Sequence, residues 1–185
     1  MTFKTFTPIS ISLMDLTRSK GILRRIIGVD PGLASTGWGI VEYLRGRLCY
    51  IAHGCIVTGA EKNRGDRLLI IHKAFQKILK SHKPSEAAIE NLFFGKNVSS
   101  AMSVSEARGV LLLALSAQGL PVQELTPNAV KQAVVGVSKA DKKQIQEMVR
   151  LILGLKEVPK PDHAADALAA AICAAHLGSL DHHSG

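Results

Sequence analysis

From Arg24 onward, hydrophobic and polar positions fall into short blocks whose period changes along the chain. Arg24 to Asp30 (RRIIGVD) is a compact apolar run stopped by Pro31-Gly32, the pattern of a short buried strand. Thr36 to Leu44 and Leu48 to Val57 are β-rich, with Arg45-Gly46-Arg47 as a hairpin turn between them. Three antiparallel strands follow from that order. The period then changes. Leu68, Ile71, Phe75 and Ile78-Leu79 recur at helical spacing, which predicts a helix over 67–80 ended by Lys83-Pro84. Ala87 to Glu90 is another short buried strand, and Leu92 to Asn97 a loop. A long helix is expected from Ser99 to Gln118, stopped at Gly119. Pro121 to Leu125 is the last short strand. Thr126-Pro127 opens a helix that Gly136 closes, with Thr as cap and Pro in the first turn. Further helices are expected over 141–153, stopped by Gly154, and over 162–176. No repeat or linker interrupts the series, so one α/β domain over 24–177 is expected, with tails at 1–23 and 178–185.

Composition changes this picture in one respect. Hydrophobic residues make up 46% but aromatics only 4%, so the core must be aliphatic. The formal net charge of +8 favours a polyanionic partner, nucleic acid or an anionic membrane surface. No apolar run approaches the length of a membrane span, and Ile9 to Met14 is short, broken by Ser and without a cleavage site. A cytoplasmic protein is expected. Cys49, Cys55 and Cys173 form no CxxC pair and read as reduced thiols. His53 and Cys55 lack the second pair that a structural zinc site needs.

The candidate chemistry lies at the strand ends. Asp30 closes the first strand and Glu90 the fourth. If the two strands are parallel neighbours, both carboxylates emerge at the sheet edge where open α/β sheets place ligands. His163 and Asp166 are three residues apart on the last helix and share a face. Three carboxylates held together repel one another, and hard divalent cations relieve that repulsion. Two such ions about 4 Å apart can clamp a phosphodiester. Each residue also has a plainer reading. Asp30 before Pro-Gly can organise a turn, Glu90 can be a polar strand end, and Asp162 and Asp166 can favour a helix N-terminus.

The words around these residues are specific. In order they read IIGVDPGLASTGWGIV, AAIENLFFGKN, EARG, TPNAVKQAVVG, DKKQIQEMV and DHAADALAAAI. The chain resembles the RuvC family of Holliday junction resolvases from about Ile26 to His176. The resemblance implies a ribonuclease H-like α/β fold, a mixed five-stranded sheet flanked by helices. It implies a homodimer that nicks two opposing strands of a four-way DNA junction, with Mg²⁺ or Mn²⁺ as cofactor, two ions per site. It also implies handover from the RuvA and RuvB branch-migration proteins, in recombination and repair.

Matched one position at a time, Asp30, Glu90 and Asp166 fall on the family's catalytic carboxylates. His163 falls where many members carry Asp. Asp162 stands beside it, about 100° away on a helix, so the fourth ligand is open between His163, which the match favours, and Asp162, which is otherwise a candidate supporting residue. Lys131 and Lys142 match lysines near the scissile phosphate, where a cation offsets charge developing in phosphoryl transfer. Lys139 and Lys143 can attract backbone phosphates. The resemblance makes Phe93 a residue that stacks on an opened base, with Lys96 and Asn97 as backbone contacts in the same loop; Phe94 reads as structural. The long helix, with Val110, Leu111, Leu112, Leu113 and Leu115, is apolar almost all round, so more than one face is expected to be covered. Two alternatives stay open: a junction-binding module without catalysis, and an actin-like phosphotransferase. The chain is short for the second, and it has neither a P-loop nor a complete dinucleotide fingerprint.

Overall fold

A computed structural model describes residues 22–91 and 98–180. Five strands form one mixed sheet: β1 (Arg24–Asp30), β2 (Ser35–Leu44), β3 (Arg47–Val57), β4 (Glu86–Glu90) and β5 (Val122–Leu125), in the order β3-β2-β1-β4-β5. β1, β2 and β3 are antiparallel, as expected. Arg45 and Gly46 both have positive φ, 52° and 78°, which suits a two-residue hairpin between twisted strands. β4 pairs parallel to β1, and β5 parallel to β4.

Helices α1 (Arg64–His82) and α2 (Val98–Ser116) cover one face of the sheet, where Ile27, Val29 and Ile40 meet Ile71, Phe75, Leu111 and Leu115. Helices α3 (Pro127–Val135), α4 (Lys142–Ile152) and α5 (Asp162–Leu180) cover the other, where Ile26, Val41 and Ala88 meet Val130, Val149, Leu168 and Ile172. The core is aliphatic and alanine-rich, as the composition requires; every residue of α5 from Ala167 to Ala175 is buried.

Helix ends follow local chemistry more closely than apolar period. α1 starts at Arg64 rather than Arg67 because Asn63 caps it, its Oδ1 accepting from the Asp66 N–H at 2.9 Å. Thr126 caps α3, and Asp141 with Gln144 forms a capping box on α4. α5 continues to Leu180, past the expected stop at His176. Arg24 packs against these last turns. Its guanidinium donates to the Ala174 and Ala175 carbonyls and pairs with Glu86, and Gly178 leaves it room. The α2 expectation holds in part. Leu111 and Leu115 are buried, whereas Leu113 and Met102 are exposed.

The seat of α5 is cut by glycines. Gly28 of β1 and Gly39 of β2 lie opposite each other, as do Asp30 and Gly37. A Cβ on Gly28 would stand 1.9 Å from the Ala167 carbonyl oxygen, and one on Gly37 1.9 Å from that of His163. Glycine is required at both positions by the backbone's close approach. Overpacking of this kind costs about 1–3 kcal/mol. Gly37→Ala is therefore expected to lower unfolding stability by about that amount in urea titration. A stability equal to wild type would show that α5 does not rest on this face.

Candidate active site

Asp30 and Glu90 end neighbouring parallel strands, whose register runs Gly28↔Ala88 and Val29↔Ile89. Alternation along each strand carries both carboxylates to the α5 face. Because α5 begins over Gly37, its first turn brings His163 and Asp166 down to the same edge. His163 Nδ1 lies 2.6 Å from Asp30 Oδ2. Ligand atoms of Asp30, His163 and Asp166 all fall within 4.8 Å of one another. Glu90 faces Asp166 and Lys131 across a cleft of about 180 Å³, floored by Pro127, Val130, Ile145 and Ala169.

The lysines divide into two groups. Lys142 Nζ lies 3.1 Å from Asp162 Oδ2 and 3.5 Å from Asp166 Oδ2. Lys131 lines the cleft beside Glu90. Lys139 and Lys143 are exposed near the start of α4. Asp162 points to Lys142 and Gln146, whose Nε2 donates to it at 3.1 Å, and it is outside the Asp30–His163–Asp166 cluster. Phe93, Phe94, Lys96 and Asn97 lie outside the described residues. Gln146 and the glycine seat carry signals that sequence reasoning did not use. Gln146 stands one turn from Lys142 on α4, and glycines at i and i+2 of β2 mark a close backbone approach.

The electrostatics describe a site short of positive charge. Burial raises the Asp30 carboxyl above its ordinary value, against the lowering effect of the His163 contact. Burial also raises Asp166, with Lys142 opposing. Glu90 is pushed up to about 7, first by burial and then by the charges of Asp30 and Asp166, with Lys131 opposing. For Lys142, burial works downward, but its contacts with Asp162 and Asp166 outweigh it and raise the ammonium's value. Three carboxyl groups that resist ionisation mainly because they are buried, plus one imidazole, suit a divalent cation. Among the described residues this is the only cluster of at least three acidic, histidine or cysteine side chains close enough to hold one.

A mixed sheet with acidic residues at two parallel strand ends, completed by the first turn of a helix laid across it, places the chain in the ribonuclease H-like class. A sequence profile of the family "Crossover junction endodeoxyribonuclease RuvC" matches residues 26–174, and the chain belongs to that family. The RuvC of Treponema denticola is 50% identical over 171 residues, 92% of this chain and 96% of the relative. That of Chloroflexus aurantiacus is 53% identical over 152 residues, 82% of this chain and 93% of the relative. Among solved structures, Thermus thermophilus RuvC in complex with Holliday junction substrate superposes with a TM-score of 0.81 at 34% identity, covering 85% of this chain and 96% of that one.

The raised Glu90 value has a consequence for stability. An acid whose folded value exceeds its unfolded value holds its proton longer in the folded state, so it costs stability as pH rises from about 4.5 through about 7. Glu90→Gln should therefore stabilise the metal-free protein at pH 8 relative to pH 5, by the order of 1 kcal/mol after solvent screening. Urea titrations at the two pH values read this directly. An equal effect at both would contradict the crowded-carboxylate description.

Proposed function

We propose that this chain is a structure-specific DNA endonuclease that resolves four-way junctions by paired nicks in opposing strands. The observation that carries the reading is the convergence of Asp30, His163 and Asp166 within 4.8 Å, with Glu90 on the adjoining strand, in a RuvC-family chain. Asp30, Glu90, His163 and Asp166 would hold two Mg²⁺ or Mn²⁺ ions. When bound, such ions activate water and stabilise the leaving oxygen of a phosphodiester.

The protein's own groups do the rest. The four side chains are presented by a sheet edge and a seated helix, so little reorganisation precedes reaction. Lys142 is held beside Asp166 by Asp162 and Gln146. From there its ammonium can turn to a phosphate oxygen as charge builds up on it. Lys131 offsets negative charge on the Glu90 side of the cleft. Lys139 and Lys143 extend a cationic surface along α4 for backbone phosphates. Phe93 is assigned to stacking on an opened base, with Lys96 and Asn97 contacting backbone.

A homodimer fits a substrate with approximate two-fold symmetry, since each copy then faces one of the two strands to be cut. Exposed Met102, Gly109 and Leu113 lie along one line of α2 and are the surface assigned to the second copy. The chain would take its junction from RuvA and RuvB, in recombination and repair in the cytoplasm. No helix among the described residues is long and apolar enough to cross a membrane.

Cleavage of a synthetic four-way junction tests the reading. Asp30→Asn, Glu90→Gln and Asp166→Asn should each reduce metal-dependent cutting by at least about 10²-fold while junction binding persists. Unchanged cutting by all three would overturn this site assignment, and junction binding without any cutting by wild type would favour a binding module without catalysis.

A further inference from the structure

Glu90 is the last residue of β4, and its carboxylate makes no hydrogen bond with another described residue. Its aim is therefore set by main chain: the pairing of Glu90 with Leu125 and the hold on Asn91, the next residue. Asn91 is held from two directions. Its main-chain N–H donates to the Leu125 carbonyl of β5 at 2.8 Å. Its side-chain Oδ1 accepts from Arg108 Nη2 of α2 at 3.0 Å. The same nitrogen donates to Glu124 Oε2 on β5. One guanidinium group thus ties the first residue beyond the strand to two further elements, α2 and β5.

The burial of this group is uneven. The Arg108 side chain is 17% exposed, against 51% for Glu124. Arg108 Nε is buried without a partner among the described residues, as are Glu106 Oε2 and Gln123 Oε1. A buried donor without a partner costs stability rather than adding it. The contact that the arrangement secures is the one on Asn91. Neighbouring Glu106 is engaged elsewhere, with Arg64 of α1 at 3.1 Å.

We infer that Arg108 is a positioning residue for the nuclease reaction, clamping Asn91 so that the chain leaves β4 in the one direction that aims Glu90 into the site. The inference rests on the nuclease reading. It makes Arg108 act through Asn91, with Glu124 as a secondary anchor. A shift of about 1 Å in a reacting group can cost on the order of 10²-fold in rate.

The test uses the full chain with Mn²⁺ on a synthetic four-way junction, comparing wild type, R108A, R108K, N91A, E124Q and R108A/N91A. R108A and N91A should each lower kcat by about 10- to 100-fold and raise the half-saturating Mn²⁺ concentration. Junction affinity measured in Ca²⁺ should stay within about twofold, because the phosphate contacts that set it are untouched. R108K should restore only part of the rate, since the lysine ammonium reaches less far than the guanidinium nitrogen that makes both contacts. E124Q should lose less than either single alanine variant. The double variant should be no worse than R108A, because both changes break one linkage. Melting curves identify any variant that fails to fold, and N91A carries the same test without touching the buried guanidinium. Wild-type kcat and Mn²⁺ dependence in R108A would overturn the inference. So would a double variant whose loss is the product of the singles, or a loss confined to junction affinity. If wild type itself does not cut, the nuclease reading fails instead. Calorimetric Mn²⁺ affinity then decides Arg108 separately: weakened in R108A it upholds the clamp, unchanged it overturns it.

Discussion

The site depends on how closely α5 can approach the sheet. Gly28, Gly37 and Gly39 remove side chains from the adjoining strands where the helix lies, so that its backbone almost touches theirs. That approach places the first turn of α5 level with the end of β1. A helix resting on ordinary side chains would stand farther off, and His163 could not reach Asp30 at 2.6 Å. At the other end of the helix, Arg24 bonds its Ala174 and Ala175 carbonyls. α5 is therefore fixed at both ends of β1, and the distance between its acidic first turn and the strand-end carboxylates is built into the fold.

This geometry brings together groups that repel one another. Asp30, Glu90 and Asp166 are all harder to ionise than usual, mainly because they are buried, and Glu90 also because the other two are near. Lys142 and Lys131 relieve part of the strain from opposite sides. Such a cluster is costly to keep without a cation and gains from binding one. The same crowding that weakens the bare protein is what gives the site its use in phosphodiester chemistry. His163 moderates the crowding, since an imidazole stands in place of a possible fourth carboxylate.

Much of this could be read from the chain. Asp30 and Glu90 stand at strand ends that short apolar blocks mark clearly, and the cap at Thr126 sits where its side chain predicts. The pairing of His163 with Asp166 follows from helical spacing alone. Separating His163 from Asp162 needed the structure, because only a docked helix shows that Asp162 turns toward Lys142 and Gln146. The start of α1 lies three residues before Arg67 because Asn63, not the first apolar residue, sets it. α5 runs past His176 to Leu180, and the bonds from Arg24, about 150 residues earlier, to its last turns are long-range contacts that helical period does not carry. The Arg108–Asn91–Glu124 linkage spans three elements with no periodic signal, so local pattern could not disclose it.

The central claim is that Asp30, His163 and Asp166, with Glu90, form one cation site. Anomalous diffraction from crystals of the full chain grown with Mn²⁺ and a junction tests it most directly. The account predicts manganese density between Asp30, Asp166 and Glu90 with His163 in contact, and Asp162 still turned to Lys142. Manganese bound at Asp162 instead, or no density at the strand ends, would contradict it.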